Sequence, residues 1–365
     1  MAGDKDKLLI EAVCNHTPWQ LLQAILKESG LPVSKGVAHT KIALGKLLAE
    51  GKFTDKHHKK LFQLYWQTVC FGEKTVKFEQ FDGSFLQRLK QAGSLIEPEI
   101  NLNTINFPFK DNSANHLLDS SAKLVRSDAM EGGIWLFFAS LKSLTENIEL
   151  DRSYFERINK DYNLPPELFD VKAKQKTTRQ FYDIVYVDFA KQLVEYRLDT
   201  VSANSTDLDE AFFALKRSFL RQVRRIPALA DFECETVNLF PQISSLYNNS
   251  SHRVCELGFT VSSVTHHEKQ RSGNKDLRHE VFHIAGVNKV DGIDVFRVAT
   301  RELHQLGSAT YESELYLPGT LKMLGSALST LEYALIKNCL TSFDYNSMKD
   351  SLFPTSNKGM LTGAA

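Results

Sequence analysis

The segment "RQFYDIVYVDFAKQLVEYRLDTV" (residues 179–201) decides the fold of this chain. Apolar and polar residues alternate on both sides of a break at Ala190-Lys191, which is typical of a β-hairpin. The predicted inward positions are Ile184, Tyr186, Val194 and Tyr196. The next segment, "TDLDEAFFALKRSFLRQVRRI" (206–226), has the 3.6-residue period of an amphipathic helix opened by a Thr/Asp cap. A hairpin followed by such a helix predicts an antiparallel sheet with covering helices.

The N-terminal part, residues 8–92, has the pattern of a helical bundle. In "TPWQLLQAILKESGLP" (17–32), Thr17 is the predicted N-cap, and Gly30 ends the helix. Three further segments carry helical spacing: "HTKIALGKLLAEGK" (39–52), "TDKHHKKLFQLYWQTVCF" (54–71) and "FDGSFLQRLKQAG" (81–93). Together they predict a small all-α unit.

The C-terminal half returns to strands and then to a helix. "HRVCELGFTVSSVTHH" (252–267) and "GIDVFRVATREL" (292–303) are predicted strands, and "TLKMLGSALSTLEYALIKNCL" (320–340) is a predicted helix. The chain is therefore predicted to be an α+β protein, with an N-terminal helical bundle followed by a mixed domain of antiparallel sheet and covering helices. The predicted parts are a helical domain that binds nucleic acid or a partner (1–95), a connector of mixed structure (96–175), an antiparallel α+β domain (176–350) and a flexible tail (351–365).

Composition limits the functional classes. The 365 residues carry 44 basic and 44 acidic side chains, so any site for a polyanion has to be a local patch. No apolar stretch is long enough for a membrane span, and the N-terminus does not resemble a signal peptide. The five cysteines are scattered and form no CxxC pair, which argues against a disulfide framework. A soluble cytoplasmic protein without membrane contact is expected.

A metal-site motif lies in "DLRHEVFHIAG" (276–286), which contains His-Glu-x-x-His. On a helix, His279 and His283 would share one face and bind zinc, with Glu280 as the general base. Eighteen residues separate His283 from Glu302, so the segment resembles the HExxH-x18-E pattern of the gluzincin metallopeptidases. That resemblance implies Glu302 as the third zinc ligand.

The local pattern of the same segment favours a strand. The Glu302 segment is rich in β-formers, and the connection "AGVNKVDGI" (285–293) carries turn signals typical of a hairpin. With a period of two, Glu280 points away from both histidines, which removes the zinc mechanism. We therefore predict a strand and no cofactor, with zinc as the alternative.

A basic element occupies "LLQAILKESGLPVSKGVAHTKIALGKLLAEGK" (21–52). Its helix, turn and second helix with spaced lysines resemble a SAP-type DNA-binding motif. The resemblance implies phosphate contacts by Lys35, Lys41 and Lys46. Packing helices with solvated lysines are the alternative.

A second basic element lies on the amphipathic helix. Five cations fall within ten residues and no acid interrupts them. They are Lys216, Arg217, Arg221, Arg224 and Arg225. They predict a phosphate-binding surface, unless they pair with neighbouring acids. A third basic run is "KAKQKTTR" (172–179).

Charged residues also punctuate the hairpin itself. They are Asp183, Asp188, Glu195, Arg197 and Asp199. Paired acids beside a basic residue can mark a nuclease metal site, but the polar outer face of a sheet gives the same pattern, and we predict the latter.

The leading functional prediction is a non-enzymatic subunit of a larger assembly that engages nucleic acid and other protein subunits. The enzyme alternative is a gluzincin-like zinc metallohydrolase. A protein–protein adaptor is a third hypothesis, because 24 phenylalanines leave material for an exposed apolar patch.

Overall fold

The computed structural model describes residues 2–110, 112–149, 157, 172–199, 205–262, 264–270, 275–326 and 328–353. Within these ranges, helices surround one antiparallel sheet of eleven strands. The predicted α+β class is confirmed. None of the helices in these ranges combines the length and the apolar content needed to cross a bilayer.

Four helices open the chain. They are α1 (Ala2–His16), α2 (Trp19–Glu28), α3 (Gly36–Ala49) and α4 (Asp55–Phe71). Their apolar faces enclose a core of their own, which also takes in Ala309 and Tyr311 from the sheet. The sequence predicted α2, α3 and α4 as separate helices, but Thr17 is not the N-cap of α2. Pro18 holds that position without a side-chain hydrogen bond.

A central strand lies inside the segment that was predicted to be entirely helical. β1 (Lys74–Phe81) follows α4, and α5 (Ser84–Ala92) follows β1. β1 pairs with strands on both of its edges, and Val76 and Phe78 are fully buried. The all-α prediction is wrong for these eight residues, because pairing partners from far along the chain select the extended form.

Ten more strands complete the sheet. They are β2 (Lys123–Met130), β3 (Gly133–Glu149), β4 (Lys172–Asp188), β5 (Leu193–Leu198), β6 (Cys234–Thr236), β7 (Arg253–Val261), β8 (Val264–Lys269), β9 (Asp294–Leu306), β10 (Ala309–Leu317) and β11 (Tyr333–Lys337). The order across the sheet is β2-β3-β4-β5-β1-β11-β10-β9-β7-β8, with β6 paired to β1. The β4–β5 hairpin turns at the predicted break, so that prediction is confirmed.

In the part of the chain that the structure describes, five helices lie among the later strands. They are α6 (Ser205–Val223), α7 (Gln242–Asn248), α8 (Val281–Val287), α9 (Leu321–Leu324) and α10 (Ser342–Asp350). The helix predicted for residues 320–340 is wrong, since only α9 is helical and the rest leads into β11. Pairing with β1 and β10 buries Ala334, Leu335 and Ile336 and outweighs their helix propensity.

Both faces of the sheet are covered. Val185 and Val187 of β4 pack with α5 and α6, including Leu215 and Phe219. The alternate residue Ile184 faces a second apolar cluster. The predicted domain boundaries stay a prediction, and residues 354–365 of the predicted tail lie outside the described residues.

Candidate nucleic-acid interface

The two helices of the SAP-like segment are joined by an ordered turn. α2 ends in a Schellman-type cap, where Leu31 N donates to Leu26 O at 2.8 Å and Gly30 takes φ +71°. Ser34 N then donates to Thr40 Oγ1 at 3.0 Å, which ties the connecting segment to α3. The helix, turn and second helix expected from the sequence are therefore present.

The N-terminus of α3 has no side-chain cap. Lys35 holds the N-cap position and has no acceptor atom in its side chain to cap the helix, and Gly36 follows with φ +85°. The first N–H groups of any helix lack intrahelical acceptors and carry a partial positive charge. At this N-terminus a cationic side chain stands beside those donors, an arrangement that suits an anion.

The outer face of α3 is basic and apolar. Only Thr40 and Leu44 of this helix are buried. The exposed residues include Ala38, His39, Ile42, Gly45, Lys46 and Ala49. No acidic residue occurs in 29–49, and Ile42 is 71% exposed. Small residues on an exposed face let a partner's backbone come close.

The three predicted lysines lie on or beside this face. Lys35 and Lys46 are exposed and Lys41 is partly exposed. Lys46 Nζ lies 3.9 Å from Glu50 Oε1, with 77% of the lysine side chain exposed, so this contact leaves the ammonium group accessible.

Two of the five predicted cations, both on α6, are ion-paired with acids from outside that helix. Lys216 Nζ lies 2.6 Å from Glu79 Oε1 of β1. Arg221 Nη2 lies 3.2 Å from Glu99 Oε1. The predicted surface is therefore partly neutralised within the molecule.

The other three cations are Arg217 on α6 and Arg224 and Arg225 in the turn that follows it, and they differ in their hydrogen bonds. Arg224 donates to the carbonyl oxygen of Phe232 at 2.8 and 3.1 Å, and Arg225 donates to Gln222 Oε1 at 3.2 Å. Arg217 is exposed and has no ion pair within the part of the chain that the structure describes. The five side chains thus do not form one open patch.

Sequence reasoning missed a buried carboxylate, Glu79, because β1 was taken for part of a helical unit. Its Oε2 accepts from Tyr196 Oη at 3.0 Å and Cys234 Sγ at 2.9 Å. Its Oε1 accepts from Lys216 at 2.6 Å and Thr236 Oγ1 at 3.2 Å. Burial, reinforced by this carboxylate, raises the pKa of the Cys234 thiol to about 12, so the thiol stays protonated.

A cleft of about 720 Å³ opens beside Glu79. Its walls include Phe212, Phe213, Met323 and Tyr333. Four protein groups donate to the Glu79 carboxylate, so the surrounding fold holds this side chain in place.

The His-Glu-x-x-His segment is not a strand, so that prediction is wrong. His279 ends a short 3₁₀ turn, and Glu280 is the N-cap of α8. The Glu280 carboxylate accepts from Phe282 N at 2.7 Å and His283 N at 3.2 Å. Because the helix begins only after Glu280, His279 and His283 do not share one helix face.

Two of the three proposed zinc ligands, His283 and Glu302, are engaged elsewhere. His283 is 4% exposed, with Nδ1 2.7 Å from Glu268 Oε2 and Nε2 3.1 Å from Tyr247 Oη. Glu302 accepts from Ser347 Oγ at 2.6 Å. Across the described ranges, no three His, Cys, Asp or Glu side chains gather as metal ligands, so the gluzincin geometry is not found there.

Four of the five charged residues of the hairpin are buried and Asp199 is partly buried, so the predicted polar outer face is wrong. Asp183 and Glu195 are at most 2% exposed. Asp183 holds Lys142 Nζ at 2.7 and 2.9 Å. Asp199 lies 2.6 Å from Lys110 Nζ and 3.3 Å from Lys74 Nζ. Each of these acids has a cationic partner, so the ion pairs contribute to the fold.

A comparison of the chain with protein-family models gave no match, and a search of curated protein sequences gave none. Any functional assignment therefore depends on the geometry described above.

Proposed function

We propose that this chain is a non-enzymatic protein that binds nucleic acid through the element formed by α2 and α3, as a subunit of an assembly with other proteins. The observation that carries the proposal is the uncapped N-terminus of α3 beside Lys35, on a segment without acidic residues. Backbone N–H groups at a helix N-terminus and lysine ammonium groups are standard phosphate ligands.

The proposed contacts position the nucleic acid rather than read its sequence. Lys35, Lys41 and Lys46 reach phosphates, while the small side chains of Ala38 and Gly45 let the backbone of α3 approach. With three phosphate contacts, the logarithm of the binding constant is expected to fall with the logarithm of the salt concentration with a slope of about −3. Arg217 on α6 and Arg225 just after it are the cations of that segment best placed to add to it, because Lys216 and Arg221 are held by acids.

One observation favours the adaptor as a second candidate function. Val281 and Phe282 of α8 are 79% and 76% exposed, although His283 beside them is buried. Neighbouring apolar side chains with this exposure are typical of protein interfaces. The change Phe282→Ser is expected to weaken a protein partnership and to leave nucleic-acid affinity unchanged.

The test of the nucleic-acid proposal is charge reversal on α3. The triple variant Lys35→Glu, Lys41→Glu, Lys46→Glu is compared with Lys275→Glu, Lys289→Glu, Lys322→Glu, which changes the net charge equally at exposed positions elsewhere. Affinity for a labelled DNA duplex is measured by fluorescence anisotropy. We expect the α3 variant to lose at least about tenfold in affinity and about three units of salt slope, with a small change in the control. Equal losses in both variants would refute the α3 site.

A further inference from the structure

The strands β3 and β4 extend beyond the rest of the sheet. They pair with each other from Gly133↔Asp188 to Glu149↔Lys172. β2 pairs with β3 only from Gly133 to Ala139, and β5 pairs with β4 only from Ile184 to Asp188. Within the described residues, the nine pairs from Leu141↔Gln180 to Glu149↔Lys172 form a ribbon with no third strand. Nine residues span about 30 Å.

This ribbon, residues 141–149 and 172–180, is the basic arm. It carries five cations and two acids, so its net charge is +3 in a chain whose net charge is zero. The strand 172–180 has four of the cations and no acid. Lys174, Lys176 and Arg179 are exposed. A two-stranded ribbon is only marginally stable alone, so its charge and exposure point to a polyanionic partner.

The basic arm is fixed at its base by buried charge. The Lys142 ammonium group on β3 donates to both carboxylate oxygens of Asp183 on β4. Asp183 Oδ1 also accepts from the backbone N–H of Asp199 at 2.9 Å, and Asp199 is held by Lys110 at 2.6 Å. These contacts set the direction in which the arm leaves the sheet, so it is presented to a partner in a defined orientation.

The cations of the basic arm lie on both of its faces. Lys174 and Lys176 share one face because they are two residues apart, and Arg179, at an odd position, lies on the opposite face. A groove of duplex DNA is bordered by one phosphate backbone on each side. Lys174 and Lys176, exposed on one face of an inserted ribbon, can therefore contact one of these backbones.

We propose that the basic arm enters the major groove of B-form DNA. The major groove is about 12 Å wide and admits a two-stranded β-ribbon, whereas the deep, narrow major groove of A-form RNA does not. This inference rests on the proposed nucleic-acid function and adds to it a second contact surface and a choice of DNA over RNA.

The experiment compares Lys174→Glu, Lys176→Glu with the equal-charge control Lys289→Glu, Lys322→Glu in the full chain. Both variants are measured against a 20-base-pair DNA duplex, an RNA duplex of the same sequence, and a DNA duplex whose major groove is filled by glucosylated 5-hydroxymethylcytosine. Thermal unfolding checks that each variant is folded.

The proposal predicts that the arm variant loses about tenfold in affinity for DNA and about two units of salt slope. It also predicts that wild-type protein binds the glucosylated and RNA duplexes at least about tenfold more weakly than plain DNA. Equal binding by the arm variant and its control, or full binding to the glucosylated duplex, would overturn it. If the α3 variant alone loses affinity, only the arm proposal fails. If wild-type protein binds no nucleic acid, the proposed function fails as well.

Discussion

Arg197 donates two hydrogen bonds to a single carboxylate oxygen of Glu195, at 3.0 Å from Nε and 2.6 Å from Nη2, and neither side chain is more than 1% exposed. Lys349 of α10 donates to the other oxygen at 2.6 Å. Tyr345 covers the guanidinium group, 4.2 Å from its ring centre. Lys349 also donates to Asp188 Oδ2 at 3.2 Å, so two buried cations face two carboxylates. Because these charges are matched, burial is tolerated, and α10 is joined to the centre of the sheet.

Removing one member of this network leaves a buried charge without a partner. The change Glu195→Ala is expected to lower the free energy of unfolding by about 3–5 kcal/mol, because Arg197 and Lys349 stay buried. Urea unfolding followed by tryptophan fluorescence measures it. The exposed pair Lys52–Glu50 supplies the control, since Lys52→Ala is expected to cost less than about 1 kcal/mol. If Glu195→Ala lowers the free energy of unfolding by less than about 1 kcal/mol, the buried charge network described above would be contradicted.

The same carboxylate makes stability depend on acid pH. Burial by itself would raise the pKa of Glu195, but Arg197 and Lys349 outweigh it and lower the pKa from 4.5 to about 2. The stabilisation is therefore complete above pH 4.5 and is lost as the pH falls towards 2. The free energy of unfolding, measured across this interval, is expected to fall less steeply in Glu195→Gln than in wild type. Identical slopes would contradict the depressed pKa.

His16 produces a second pH dependence at higher pH. Burial, together with the charge of Lys110, lowers the pKa of His16 from 6.5 to about 4. Below pH 6.5 the unfolded chain binds a proton at His16 that the folded chain does not, so stability falls between pH 6.5 and about 4. The change His16→Gln is expected to flatten the stability curve in that interval. A curve as steep as that of wild type would show that another group is responsible.

The cysteines are expected to be unreactive in the folded protein. Burial raises the pKa of Cys14 to about 11 and of Cys70, Cys234 and Cys255 to about 12, and it also raises the pKa of Cys339. Thiolate is the reactive form, so iodoacetamide at pH 8 should label little before unfolding and all five thiols after it. Rapid labelling of one thiol in the native protein would identify a cysteine whose surroundings differ from those described.

The sequence predicted those parts of the fold whose signals are local. The β4–β5 hairpin and the helices α2 to α6 follow from alternation, helical spacing and turn residues in their own segments. β1 and β11 were missed because "KTVKFEQF" and "YALIK" become strands by pairing with each other and with distant strands. Local propensity does not contain that information.

The candidate site residues show the same difference between local and long-range signals. The α2–α3 element was predicted because its residues are contiguous. The burial of Arg197 and Glu195 was not, since their partner Lys349 lies more than 150 residues away along the chain. Glu280 was considered only as a catalytic base or a strand residue, although its position before an apolar run also fits the N-cap that it forms.

The most direct test of the nucleic-acid proposal is the affinity of wild-type protein for a labelled 20-base-pair DNA duplex, measured by fluorescence anisotropy from 50 to 200 mM salt. Contacts by Lys35, Lys41 and Lys46 on α3 and by Lys174 and Lys176 on the basic arm predict a logarithmic slope of about −4 to −5. Absence of binding at 50 mM salt, or an affinity that does not change with salt, would contradict the proposed function.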